Sequence, residues 1–95
     1  MDQNKLENIH IYCKEHSEID SQNLVDVEKY TWENKEVPQM ISGQLVGKFL
    51  QSIIKMIRAK KIIEVGTFTG YSAIQMAEAI SEEGEVHTCE IMEKH

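Results

Sequence analysis

Proline occurs once, at Pro38, and cysteine twice, at Cys13 and Cys89, in the 95 residues of this chain. The single proline stands where the composition changes and places a boundary near residues 36–41, dividing an N-terminal segment, 1–36, from a second unit, 37–95. The two cysteines lie far apart and form neither a redox pair nor a zinc-binding spacing, so a reduced, cytoplasmic setting is the default expectation. No apolar run approaches the roughly 18 residues that cross a bilayer. No charged-then-apolar start resembles a signal peptide. Positive charge is also scarce. The formal net charge of −6 argues against a nucleic-acid partner or an anionic membrane surface, both of which select for basic patches. Repeats and low-complexity tracts are missing as well, and an apolar content of 41% is that of an ordinary globular chain. A chain of this length makes one small domain or a piece of a larger one, and any sheet in it must be small.

What is present begins with helices. Leu6, Ile9 and Cys13 recur at helical spacing and predict a helix over Gln3 to Glu15. Ser17 can cap a second helix, with Asp20 at the capping-box position, running to about Asn34 and burying Leu24, Val27 and Tyr30 or Thr31. Ser42 can cap a third from Gly43 to about Arg58. Its stripe is Leu45, Phe49, Ile53 and Ile57, widened by Val46, Leu50 and Ile54. Arg58, Lys60 and Lys61 crowd the end of that helix, where positive charge suits the dipole.

Ile62 to Val65 then reads as a short strand, apolar at consecutive positions as in strands covered on both faces. Tyr71 to about Ser81 is helical, with Ala73, Ile74, Ala77 and Ile80 facing inward. Glu82-Glu83-Gly84 turns the chain, and Val86 to about Glu90 or Ile91 forms a second strand. The connection is long enough for a parallel crossover. The fold class expected is α/β, with one β-α-β unit whose first strand-to-helix turn is EVGTFTGYSA, Glu64 to Ala73. A parallel sheet normally has more than two strands and helices on both faces. The chain therefore reads as the front end of a larger doubly wound domain. A compact mini-domain, complete alone, is the competing reading.

In open α/β sheets such a turn is the usual floor of a ligand site. Gly66 and Gly70 allow close backbone approach, although a tight turn without ligand has the same look. The spacing excludes two familiar phosphate motifs. G-x-x-x-G lacks the middle glycine of the dinucleotide fingerprint, with Phe68 at that position, and no Lys-Ser or Lys-Thr follows Gly70 to make a P-loop. Between Ile62 and Glu93 there is no lysine or arginine at all, while Glu64, Glu78, Glu82, Glu83, Glu85, Glu90 and Glu93 all fall there. A pyrophosphate would meet repulsion without a compensating cation; a helix N-terminus offsets it by about a kcal/mol or less when exposed. Glu90, 20 residues beyond Gly70, stands about where dinucleotide folds place a ribose-binding carboxylate. The ligand profile is an adenosine without phosphates, joined to positive charge. S-adenosylmethionine has that profile, and its one carboxylate can use the helix start at Gly70-Tyr71-Ser72.

These residues also resemble a family. KKIIEVGTFTGYSAIQMAEAISEEGEVHTCEI is similar to the cofactor-binding opening of the cation-dependent O-methyltransferases, the group with catechol and caffeoyl-CoA O-methyltransferases. PQMISGQLVGKFLQSIIKMI resembles the helix leading into that family's first strand, and YCKEHSEID is a looser echo. The resemblance implies a Rossmann-like S-adenosylmethionine-dependent methyltransferase fold, present here as N-terminal helices and the first β-α-β unit. It implies methyl transfer to a hydroxyl of a small, aromatic, catechol-like acceptor and a divalent cation such as Mg; a homodimer is expected as well. Position by position, it implies that Met40 and Ser42 lie over the cofactor and that Glu64, Gly66, Thr67 and Phe68 form the turn beneath its methionine part. Gly70 opens the helix, Ser72 hydrogen-bonds the carboxylate, Glu90 holds the ribose, and Ile91 or Met92 lies against the adenine. Each has a plainer alternative, such as a core role for Met40, packing for Phe68 or an ordinary helix-start serine at Ser72. The family's metal carboxylates, catalytic lysine and substrate pocket come from later strands and loops, so no catalytic or metal-binding residue is assigned in this chain.

Two other readings compete. A nucleotide-linked oxidoreductase domain is disfavoured by the missing glycine and cations. A non-catalytic module that self-associates through an open sheet edge would dimerise or aggregate in isolation. His10, Cys13 and His16 could share one side of the first helix, but a zinc site wants a fourth ligand and better facing. Cys89 reads as a small buried hydrophobe, and Tyr30 and Trp32 as packing residues.

Overall fold

The structure, a computed structural model, describes residues 2–95. Its elements follow in the order α1 (Gln3–Glu15), α2 (Gln22–Asn34), a 3-10 turn (Pro38–Met40), α3 (Gly43–Ile57), β1 (Lys61–Val65), α4 (Tyr71–Ala79) and β2 (Glu85–Cys89). The two strands pair in parallel, with Ile62 opposite Val86, Glu64 opposite Thr88 and Val65 opposite Cys89. Gly66 N–H extends the ladder by donating to the Cys89 carbonyl at 2.7 Å. The β-α-β unit is thus formed, with α4 as its crossover, and the expected α/β class stands.

Capping explains where the helices begin, and it corrects one boundary. Asp2 accepts from Lys5 N–H at 2.8 Å and starts α1. Ser17 does not open α2; its hydroxyl donates back to the Cys13 carbonyl at 2.6 Å and closes α1. Ser21 opens α2 instead, accepting from Leu24 N–H at 3.4 Å. Either serine has the chemistry of a cap, and the choice is made by Asp20, which is drawn into a tertiary contact. Ser42 stands at the start of α3 with helical dihedrals and no side-chain cap bond, which leaves its hydroxyl free.

The core is small: Leu24, Ile54, Tyr71 and Met76, with Thr31, Gln51 and Gln75 buried among them. Full burial of a residue such as Leu24 contributes roughly 1.5–3 kcal/mol. Of the alternatives in α2, Thr31 is buried and Tyr30 exposed, and Val27 is half-buried. The expected α3 stripe is partly open: Ile54 is buried and Leu45, Leu50 and Ile53 are half-buried, but Val46, Phe49 and Ile57 are exposed. In α4, Gln75 and Met76 point inward and Ala77 outward, because the helix packs on α3 through a polar pair rather than its alanines. Strand β1 is covered on one side only, with Ile63 76% and Val65 89% exposed. Cys89, Tyr30 and Trp32 are exposed, contrary to their packing readings, since β2 and α2 each present one face to no neighbour. His16 stacks on Tyr12 at 3.9 Å and bonds the Tyr12 carbonyl at 2.8 Å. Among the described residues no group of three His, Cys, Asp or Glu side chains could hold a metal, and no helix is long and apolar enough to cross a membrane.

Where α3 meets α4, Gln51 Nε2 donates to the Gln75 carbonyl at 2.7 Å and Gln75 Nε2 to the Gly43 carbonyl at 3.1 Å. Gly47 makes room for this: a Cβ there would fall 1.6 Å from Gln75 Nε2. Replacing a helix-interior glycine by alanine ordinarily stabilises by up to about 1 kcal/mol. Here Gly47→Ala is expected to destabilise the protein by about 1–3 kcal/mol through overpacking, measured by denaturant unfolding. Adding Gln75→Ala to that variant recovers most of the loss.

Candidate functional site

The glycine turn occupies the carboxyl end of β1. Its conformation depends on residues at positive φ: Gly66 (φ 95), Phe68 (φ 53) and Gly70 (φ 89). A phenylalanine in the left-handed region is uncommon and is held only when its surroundings fix it. The holder is Glu90. Its Oε1 accepts from Phe68 N–H at 2.8 Å and its Oε2 from Met92 N–H at 3.0 Å. These two backbone donors, Phe68 first, hold the Glu90 carboxyl below the usual range. The Phe68 ring meets the His95 ring edge-on at 4.7 Å.

Beneath the turn, hydroxyls and one carboxylate link the two strand ends. Ser72 hydroxyl donates to Glu64 Oε2, Thr88 hydroxyl donates to Glu64 Oε1 at 3.0 Å, and Thr67 and Thr88 hydroxyls lie 2.6 Å apart. The register that sets Glu64 opposite Thr88 makes this possible. Gly70 N–H closes the turn on the Thr67 carbonyl at 2.9 Å, and α4 starts directly after it.

A small cleft of about 80 Å³ opens above the turn, and Met40, Ser42, Gly66, Thr67, Phe68 and Ser72 all line it. Six of the ten residues singled out in the sequence therefore share one cavity. Glu64 and Gly70 do not line it: Glu64 is reached through its bond from Ser72, Gly70 joins Thr69 to Tyr71 in the chain, and Glu90 is tied to the cleft through Phe68 N–H. Ile91 does not line the cleft and is 94% exposed, whereas Met92, its stated alternative, is more covered. Above Gly66 and Gly70 a Cβ would meet nothing within 4 Å, so the space over the backbone is open. A larger cleft of about 620 Å³ lies at the other end of the sheet, among Lys55, Arg58, Lys60, Glu82 and Glu83. It is remote from the strand carboxyl ends.

Sequence reasoning missed Thr69, Tyr71 and Ile41, which also line the cleft, and Thr88 below it. Tyr71 carried a signal, an aromatic as first residue of a helix. It is 2% exposed and its hydroxyl donates to Asp20 Oδ2. Burial first, and the Asp20 carboxylate second, raise its phenol well above the ordinary tyrosine range. Such a group favours the folded state while it is protonated. That stability is present below the unfolded value of about 10 and falls as pH rises beyond it. In a spectrophotometric titration Tyr71 is expected to ionise only as the protein unfolds in alkali.

The arrangement offers carboxylates and hydroxyls with unused acceptor capacity, free backbone N–H groups at the start of α4, and no cation between residues 62 and 93. It suits a ligand bearing hydroxyls and positive charge. Over 84 residues the chain is 33% identical to a probable caffeoyl-CoA O-methyltransferase of Dictyostelium discoideum, covering 84% of this chain and 35% of that protein. It is 47% identical over 49 residues to a catechol O-methyltransferase of Niastella koreensis, covering 52% of this chain and 22% of that protein. Among solved structures, an O-methyltransferase from Bacillus cereus in complex with SAH superposes with a TM-score of 0.82 at 31% identity, over 93% of this chain and 40% of that one. A SAH-bound methyltransferase of Podospora anserina, at 23% identity, shares the fold with a TM-score of 0.91, over 99% of this chain and 41% of that one. The chain thus spans about a fifth to two fifths of the length of these relatives. The O-methyltransferase family model matches residues 14–95, and the protein belongs to that family.

Proposed function

We propose that the protein binds S-adenosylmethionine at the glycine turn and, in its intact form, transfers the methyl group to a hydroxyl of a small, aromatic, catechol-like acceptor. The observation that supports this most directly is Glu90, a carboxylate fixed at the rim of a cation-free turn by Phe68 N–H at 2.8 Å, with lone pairs left for ribose hydroxyls. The residues fit the group in other respects. Gly66 and Gly70 leave open space for the methionine part, the first N–H groups of α4 remain as donors for its carboxylate while the Ser72 hydroxyl donates to Glu64, and Met40 and Ser42 line the cleft. Bound there, S-adenosylmethionine supplies an electrophilic methyl on a sulfonium. The residues described here bind and orient it, which lowers the barrier by positioning.

A divalent cation, Mg or similar, belongs to the same proposal through the family resemblance. No cluster among the described residues fits one, so no step through it is derived. Residues 37–95 form the cofactor unit in this reading and 1–36 its helical cover. A homodimer is proposed on the apolar residues left open on α3, among them Phe49, Met56 and Ile57, and a cytoplasmic setting on the two free cysteines. Isothermal titration of the intact protein tests the cofactor. Saturable binding of S-adenosylmethionine with no binding of NAD is expected, and the reverse would defeat the reading.

A further inference from the structure

The first turn of α4 is tied to the N-terminal helices by a charged contact that the cofactor reading does not use. Asp20, in the turn before α2, accepts the Tyr71 hydroxyl on Oδ2, and its side chain is 5% exposed. Its Oδ1 is buried without a hydrogen-bond partner; Lys48 Nζ of α3 stands 4.0 Å away. A carboxylate withdrawn from water with one oxygen unmatched is costly, so the Tyr71 hydroxyl and the Lys48 charge are what retain it. Two further hydrogen bonds run alongside. Ser21 hydroxyl donates to Glu78 Oε2 at 2.7 Å, and Thr31 and Thr69 hydroxyls lie 2.8 Å apart. Residues 20–31 therefore hold α4 at Tyr71 and Glu78 and the glycine turn at Thr69.

We propose that Asp20 and Tyr71 form a positioning pair that sets the first turn of α4 and couples the docking of residues 17–34 to occupancy of the glycine turn by an adenosyl ligand. The inference rests on the ligand reading above. Tyr71 directly follows Gly70, whose φ of 89 leaves this junction without a side chain to fix it. The backbone N–H groups at Tyr71 and Ser72 have no intrahelical acceptor, and they serve a ligand carboxylate only if the turn that carries them is held still. Tyr71 supplies that hold from the buried side while its backbone faces the cleft. Coupling of this kind is reciprocal: whatever the pair adds to ligand affinity, the ligand adds to the docking of α2.

The test uses the intact protein with S-adenosylhomocysteine as probe, read by calorimetry and by hydrogen exchange across residues 17–34. The ligand is expected to slow exchange over that segment. Tyr71→Phe weakens binding on the order of tenfold, as loss of a hydrogen bond to a buried charge requires, and abolishes the ligand-dependent protection. In turnover, the loss falls more on the cofactor KM than on kcat. Asp20→Asn, which still accepts from Tyr71, retains most of the affinity. A folded Tyr71→Phe protein with unchanged affinity and unchanged protection would overturn the proposal. So would a wild-type protein that binds the ligand with no change in exchange over 17–34, a result that decides the matter even if Tyr71→Phe does not fold. Failure of the wild type to bind at all defeats the ligand reading, and this inference with it.

Discussion

Replacing Glu90 with alanine lowers S-adenosylmethionine affinity on the order of a hundredfold, and replacing it with glutamine on the order of tenfold. Two functions of one carboxylate are lost together in the alanine variant. The backbone N–H groups of Phe68 and Met92 lose their acceptor, so the left-handed turn at Phe68 relaxes. The ribose hydroxyls lose theirs as well. Glutamine keeps one oxygen acceptor but presents a donor where the second N–H points. Calorimetric titration of both variants measures the difference. The same contacts set an acid limit. Because the folded Glu90 carboxyl lies below its ordinary range, its contribution is present above about pH 4.3 and is lost as pH falls through the folded value. Cofactor affinity is expected to fall over that window in the wild type, and Glu90→Gln removes this component of the fall.

Alanine at Gly66 is expected to cost about 1–2 kcal/mol of stability, because an L-residue there must occupy the left-handed region. Its effect on ligand binding is larger. Nothing of the protein lies within 4 Å of the added Cβ, so the methyl group enters the open space assigned to the methionine part of the cofactor. Denaturant unfolding and titration of Gly66→Ala separate the two effects. A small loss of stability with a loss of affinity of tenfold or more is expected, by analogy with overpacking a fitted site. Equal, small effects on both would place the ligand elsewhere.

The sequence made the β-α-β unit legible because its signals are local. Ile62 to Val65 is short and apolar, Gly66 and Gly70 are the residues that left-handed backbone requires, and Glu82-Glu83-Gly84 marks the return. The cluster of Met40, Ser42, Gly66, Thr67, Phe68 and Ser72 was legible for a different reason: the family pattern carries it, and the cleft gathers those residues. What could not be read is tertiary. Nothing local distinguishes Ser17 from Ser21 as the cap of α2, because the choice follows from Asp20 reaching Tyr71, 51 positions away. Gln75 looks like a surface residue, yet it is fully buried because Gly47 lets α3 approach. The stripe Val46, Phe49 and Ile57 has the helical period of a core face, but period states only that a face is apolar, not what covers it. Ile91 stands just beyond Glu90, past the end of β2, and its side chain is 94% exposed, so no packing within the protein marks it.

The most direct measurement is a crystal structure of the intact protein with S-adenosylhomocysteine bound. The ribose hydroxyls are predicted within hydrogen-bonding distance of Glu90, with the amino-acid carboxylate at Ser72 and the start of α4. A ligand lodged away from Gly66–Ser72, or a phosphate group seated on that turn while Glu90 faces solvent, would contradict the account.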